Sequence, residues 1–156
     1  MDKRSGRTVF WLGLLLYTAS FFLPMSVGWG IFASERPSVA GCAVDWFFFP
    51  WIYAHLNSMG NFLTDAPIEN VSIAVSGWIN PVFGIAWLFQ VVGKTHQLTK
   101  MLRNVILLML PFCWIVFLSR HVYPREGYFL WTGGMLLVLF SSELENRQSA
   151  LESASV

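Results

Sequence analysis

VSIAVSGWINPVFGIAWLFQVV, residues 71–92, decides the fold class of this chain. It carries no charged residue. Wound as an α-helix at about 1.5 Å per residue it extends ~33 Å, enough to cross a hydrocarbon core of roughly 30 Å. Working outward, three more stretches are apolar and long enough to span: residues 8–25, 101–118 and 124–142. Four such stretches predict an all-α polytopic membrane protein, with four transmembrane helices in one bundle over residues 1–142. A polar tail over 143–156 is expected to be frayed or disordered.

Composition agrees. Hydrophobic residues make up 55% of the 156 and charged residues 12%, well below a soluble domain. The net charge of +1 excludes nothing about partners, but its distribution orients the chain. With the N-terminus inside and four spans, Lys3, Arg4, Arg7, Lys94, Lys100, Arg103 and Arg147 lie inside, against Arg36, Arg120 and Arg125 outside. That is the positive-inside pattern, and it places both termini in the cytoplasm. The cationic turn at 93–100 suits a membrane surface, and nucleic acid is not an expected partner.

Residues 38–58 need a decision of their own, because VAGCAVDWFFFPWIYAHL within them is nearly apolar enough for a fifth span. A crossing would bury Asp45, at about 2.5–3.5 kcal/mol, together with Pro50 and His55. It would also turn the later cations outward. The segment is therefore expected in or near the outer interface, as a short interfacial or re-entrant helix within a long extracytoplasmic loop, 26–70. That loop is acidic and aromatic, and too long for a mere connector.

The N-terminal basic arm and apolar run resemble a signal peptide, but no A-x-A site closes them, and they read as the first span. Cys42 and Cys113 have no metal-ligand spacing and are expected as free thiols. Of the eight tryptophans, Trp29, Trp46, Trp51 and Trp131 suit an interfacial belt; Trp11, Trp78, Trp87 and Trp114 suit helix packing or lipid contact.

Ser72, Ser76, Asn80 and Gly84 recur every four residues, a small and polar stripe that lets helices approach in lipid. Pro81 and Pro111 each remove a helical hydrogen bond. Gly133-Gly134 marks a second close-packing point.

Ser20-Phe21-Phe22-Leu23-Pro24, Trp78-Ile79-Asn80-Pro81 and Gly127-Tyr128-Phe129-Leu130-Trp131 follow one another in the order S-F-x-L-P, W-x-N-P and G-Y-x-x-W. On these motifs the chain resembles, over about residues 10–142, a group of small, uncharacterised bacterial four-helix inner-membrane proteins. The resemblance implies a four-helix integral membrane protein and carries over no catalytic residue.

Five positions stand out as candidate polar or partner-contact sites. Asn80 is a polar side chain near mid-span: it either lines a polar pocket or bonds a neighbouring helix. Asp45 and His55 flank an aromatic cluster, but ten helical residues turn them about 80° apart. Arg120 and His121, with Arg125 and Glu126, form a polar knot suited to lipid phosphate or to the acidic loop. No Ser-His-Asp order, phosphate loop or metal-ligand spacing appears, so no cofactor is expected. The expected role is a non-enzymatic accessory or binding subunit, for instance an immunity-type protein, presenting the aromatic loop to another membrane or extracytoplasmic protein. A small channel or transporter is the alternative and a lipid-acting enzyme the third reading.

Overall fold

The computed structural model describes residues 4–24, 26–27, 38–56, 66–92, 96–119 and 123–154. It is all-α apart from one two-residue strand pair. The helices are α1 (Arg4–Ser20), α2 (Val39–Leu56), α3 (Pro67–Val92), α4 (His96–Ser119) and α5 (Glu126–Ala154). Strand β1 (Ser26–Val27) pairs antiparallel with β2 (Tyr123–Pro124).

Local chemistry sets the ends. Pro24 stops α1, and its last turn tightens through bonds such as Leu23 N–H to the Ser20 carbonyl, 3.0 Å. Ser38 caps α2, its Oγ accepting from the Gly41 N–H at 3.2 Å. Pro67 opens α3, with Glu69 in the first turn where the helix dipole favours an acid.

Among the described residues two helices, Pro67–Val92 and Gln97–Ser119, are long and apolar enough to cross a membrane by length and composition, not the four expected. The other two stretches fall short for identifiable reasons. Helix α1 has only 17 residues and carries Arg4 and Arg7 in its first turns. Pro124 sits in β2 rather than at a helix start, so α5 begins at Glu126, and its second half is polar. The 143–156 tail also departs from expectation: it continues α5 as helix to Ala154. Nothing in ELENRQSALESA breaks a helix, and Leu, Glu, Gln, Arg and Ala all favour one. The 26–70 loop is likewise more regular, with 18 residues of α2 inside it and α3 starting at Pro67.

The helices pair as α1 with α5, α3 with α4, and α2 across α3. Their common core holds Ile73, Ile79, Phe83, Ile106, Cys113, Val116, Tyr128, Trp131, Met135 and Leu139. The α1–α5 pair is the tightest, and glycine makes it so. A Cβ on Gly13 would meet the Gly134 carbonyl oxygen at 2.8 Å, and one on Gly134 would meet the Gly13 carbonyl oxygen at 2.7 Å. Gly133 faces open space instead, so close packing falls on one residue of the pair. Gly84 is open too.

Outward from the core lie large exposed apolar side chains on four helices: Leu15 on α1, Leu88 on α3, Leu108 and Leu118 on α4, and Phe129 on α5.

Candidate functional site

The three motifs that the sequence sets far apart meet in space. Leu23 and Pro24, ending the first motif, offer their carbonyls to the Val39 N–H (3.0 Å) and the Gly127 N–H (3.1 Å). A Cβ on Gly127 would stand 2.9 and 2.7 Å from those same two oxygens, so the third motif needs its glycine there. This hub ties the end of α1 to the starts of α2 and α5.

Below it, Asn80 of the middle motif accepts two hydrogen bonds on Oδ1. One comes from the Tyr17 hydroxyl at 2.9 Å and one from the Trp131 indole N–H at 2.8 Å. Three helices are thereby pinned at one atom. Indole nitrogen can only donate, so the oxygen of the amide must face Trp131 and Tyr17, and the NH2 must face away. Trp131, expected in the interfacial belt, is 2% exposed and belongs to the core. Its partner accounts for this: the polar edge of a buried indole needs an acceptor, and Asn80 supplies one.

Beside Asn80 runs an open groove of about 300 Å³ between α2 and α3. Phe21, Ala43, Val44, Phe47 and Phe48 wall it, and Gly77, Asn80 and Pro81 form its floor. Phe47 also packs on Trp78, ring centres 5.0 Å apart. A second groove of about 460 Å³ follows α1 and α5 past Val9, Leu16, Gly133 and Phe140, and its lining is apolar throughout.

A polar cluster marks the far end of the bundle. Gln90 donates to Ser141 Oγ (2.8 Å) and to the Val138 carbonyl (3.1 Å). Arg103, nearly buried, pairs with Glu143 at 2.5 Å and lies 4.9 Å over the Phe140 ring. Within about a turn of the Asn80 level, the Ser76, Tyr128 and Thr132 hydroxyls are buried without a hydrogen-bond partner among the described residues.

Of the five candidate positions, only Asn80 sits in this arrangement. Asp45 is exposed on α2, one turn from the buried Cys42 thiol, away from the Asn80 floor. Helix α2 is continuous from Val39 to Leu56, and the His55 side chain lies outside the described residues. Arg120 and His121 also lie outside them. Of the knot proposed with them, Arg125 and Glu126 are described, and they bond each other at 2.9 and 3.0 Å. Both cysteines are free and buried. No group of His, Cys, Asp or Glu among the described residues could hold a metal ion.

Sequence reasoning missed Tyr17 and Trp131 as partners of Asn80, and Glu143 as partner of Arg103. A usable signal existed for Trp131: an Asn in an apolar helix needs donors, and a Trp in an apolar helix needs an acceptor. Nothing local pointed to Glu143, which falls in the stretch read as tail. No family model matches this chain, and no curated protein or solved structure matches it.

Proposed function

We propose that this chain is an integral protein of a bacterial inner membrane, with α1, α3, α4 and α5 all embedded. In this reading it is a non-catalytic accessory subunit that presents α2 and its flanking loops to another membrane or extracytoplasmic protein. The observation that carries the membrane placement is the apolar exterior shared by four helices. Trp11, Leu12, Leu15, Ile85, Leu88, Leu108, Trp114, Leu118 and Phe129 are all exposed while the core is separately filled. Water would penalise that surface and lipid would not. Sorting of charge supports the same orientation. Lys100 and Arg103 belong to the end where Gln90 meets Ser141, and Arg125–Glu126 belongs to the other.

Helix α3 runs thirteen residues, about 20 Å, ahead of Asn80, whereas α1 runs only three past Tyr17. The start of α3 thus outreaches α1, and α2 packs on α3 beside Gly77, Trp78 and Asn80 with Val44, Asp45 and Phe48 exposed. That is the surface offered to a partner.

Two measurements test the reading. Retention in the membrane pellet after an alkaline carbonate wash is expected; release overturns the placement. A cysteine at position 58, Ser58→Cys with Cys42 and Cys113 replaced, is expected to label from outside the cell. Labelling only from inside would make α2 a crossing and remove the presented surface. For the partner, a photo-crosslinker at Phe48 in intact cells is expected to give one discrete protein adduct, absent when the crosslinker stands at Leu108.

A further inference from the structure

We propose that the junction of α3, α4 and α5 is a binding site for one internal water molecule, held by the hydroxyls of Ser76, Tyr128 and Thr132 and the thiol of Cys113. The inference rests on helix packing and goes beyond the accessory reading.

Four polar side chains converge there. Cys113 of α4 has the Ser76 hydroxyl of α3 as a neighbour, and on α5 the Tyr128 hydroxyl has that of Thr132, one turn on. Tyr128 also reaches α4. Its ring stands edge-on to Phe117 at 4.8 Å and to Trp114 at 5.5 Å, on the turn that carries Cys113, and it is close enough to that thiol to interact with it electrostatically. Ser76, Cys113 and Tyr128 are each 2% exposed or less. Neither neighbouring pair is set for a direct bond: the Ser76, Tyr128 and Thr132 hydroxyls are buried without a hydrogen-bond partner among the described residues.

Two of these hydroxyls forgo a bond that their own helix offers. A helical serine or threonine can return its hydroxyl to a carbonyl three or four residues back. Thr18 does so to Leu14 (2.8 Å), Ser20 to Tyr17 (2.6 Å), Ser72 to Ile68 (2.6 Å), Ser119 to Val116 (3.1 Å) and Ser141 to Val138 (2.7 Å). Ser76 and Thr132, on different helices, do not, and both belong to this junction. A buried hydroxyl turned from its own carbonyl needs another partner. Water suits this set, because it takes two to four bonds and each hydroxyl here can donate or accept. The four side chains carry no formal charge, so an ion would shed its hydration there without a counter-charge. In the bound state the Tyr128 O–H and the Cys113 S–H donate to the water, and the water donates to Ser76 Oγ and Thr132 Oγ1. One molecule then ties three helices.

The test is X-ray hydroxyl-radical footprinting of the full chain in mild detergent, with oxidised residues located by mass spectrometry. Radiolysis splits a held water in place, and the radical marks the side chains around it. With each residue normalised to its rate in the unfolded chain, Tyr128 and Cys113 are expected to be oxidised at least fivefold more than Phe83 and Leu139, which are as deeply buried. A radical scavenger in the bulk solvent is expected to suppress oxidation of Tyr123, 78% exposed, and to spare Tyr128. Thr132→Val keeps the side-chain shape, removes one hydroxyl and is expected to lower Tyr128 oxidation at least threefold. Ser141→Ala, at the Gln90 level, is expected to leave it unchanged. Tyr128 oxidised no more than Phe83 would overturn the proposal, and so would equal suppression of both tyrosines by the scavenger. The first result is the one expected if the hydroxyls turn to bond one another or a loop of the chain supplies their partner. Both comparisons use only the unmodified protein, so a misfolded variant does not decide them.

Discussion

The Trp131 indole donates to Asn80 Oδ1 at 2.8 Å, joining two residues 51 positions apart in the chain. The same oxygen takes the Tyr17 hydroxyl. One acceptor with two donors behaves differently from two independent hydrogen bonds.

Removing either donor leaves the oxygen one partner; removing both leaves it bare. Trp131→Phe also trims the ring, so Tyr17→Phe is the cleaner single change. Each is expected to cost about 0.5–1.5 kcal/mol. The double variant should cost about 1 kcal/mol more than their sum, the added penalty of an unsatisfied carbonyl. Unfolding in mixed micelles measures the cycle, and strict additivity would refute the shared-acceptor account.

The adjacent glycines of α5 are expected to behave oppositely. Gly134→Ala puts a methyl against the backbone of Tyr17 and the Gly13 carbonyl, atoms that cannot rotate aside. A loss of about 1–3 kcal/mol is expected, as for other overpacked sites. Gly133→Ala meets nothing and should be neutral or gain up to about 1 kcal/mol from helix propensity. Thermal unfolding of the two variants in detergent checks this. Equal effects would mean that α1 and α5 do not cross at Gly134.

At the other end, Arg103 is nearly buried while a third of the Glu143 side chain is exposed. Glu143→Gln strands the guanidinium and is expected to cost about 2–3 kcal/mol, the low end for a broken buried pair because water still reaches the site. Arg103→Met together with Glu143→Gln should recover most of that loss. If the double variant is no better than Glu143→Gln alone, the pair is not what holds the end of α5 against α4.

Cys42 offers a test by reactivity. Burial, with the negative charge of Asp45 one turn away adding to it, pushes its thiol up to about 12. The reactive thiolate is therefore scarce at pH 8, and a small maleimide should react about two to three orders of magnitude more slowly than with an unfolded thiol. The rate should climb as pH rises from 8 toward 11, and Asp45→Asn should raise it modestly. Rapid labelling at pH 8 in folded protein would show that α2 does not cover Cys42 against α3.

What could be read from the sequence and what could not divide along a physical line. Helices over 71–92 and 101–118 were legible because the length of an apolar run is a local property. The glycine pair was legible as a site of close approach, yet not which of the two makes it, since that depends on the rotation of α5 against α1. Asn80 was legible as a group in need of a partner. That Trp131 and Tyr17 are those partners was not. The helical tail was misread because Glu143 looks like a solvent residue until Arg103 is set beside it. By itself the sequence determined the helical class and the apolar runs, both sums over neighbouring residues. Only the tertiary structure decided which polar atoms meet, because hydrogen bonds reach about 3 Å and their partners here lie tens of residues apart.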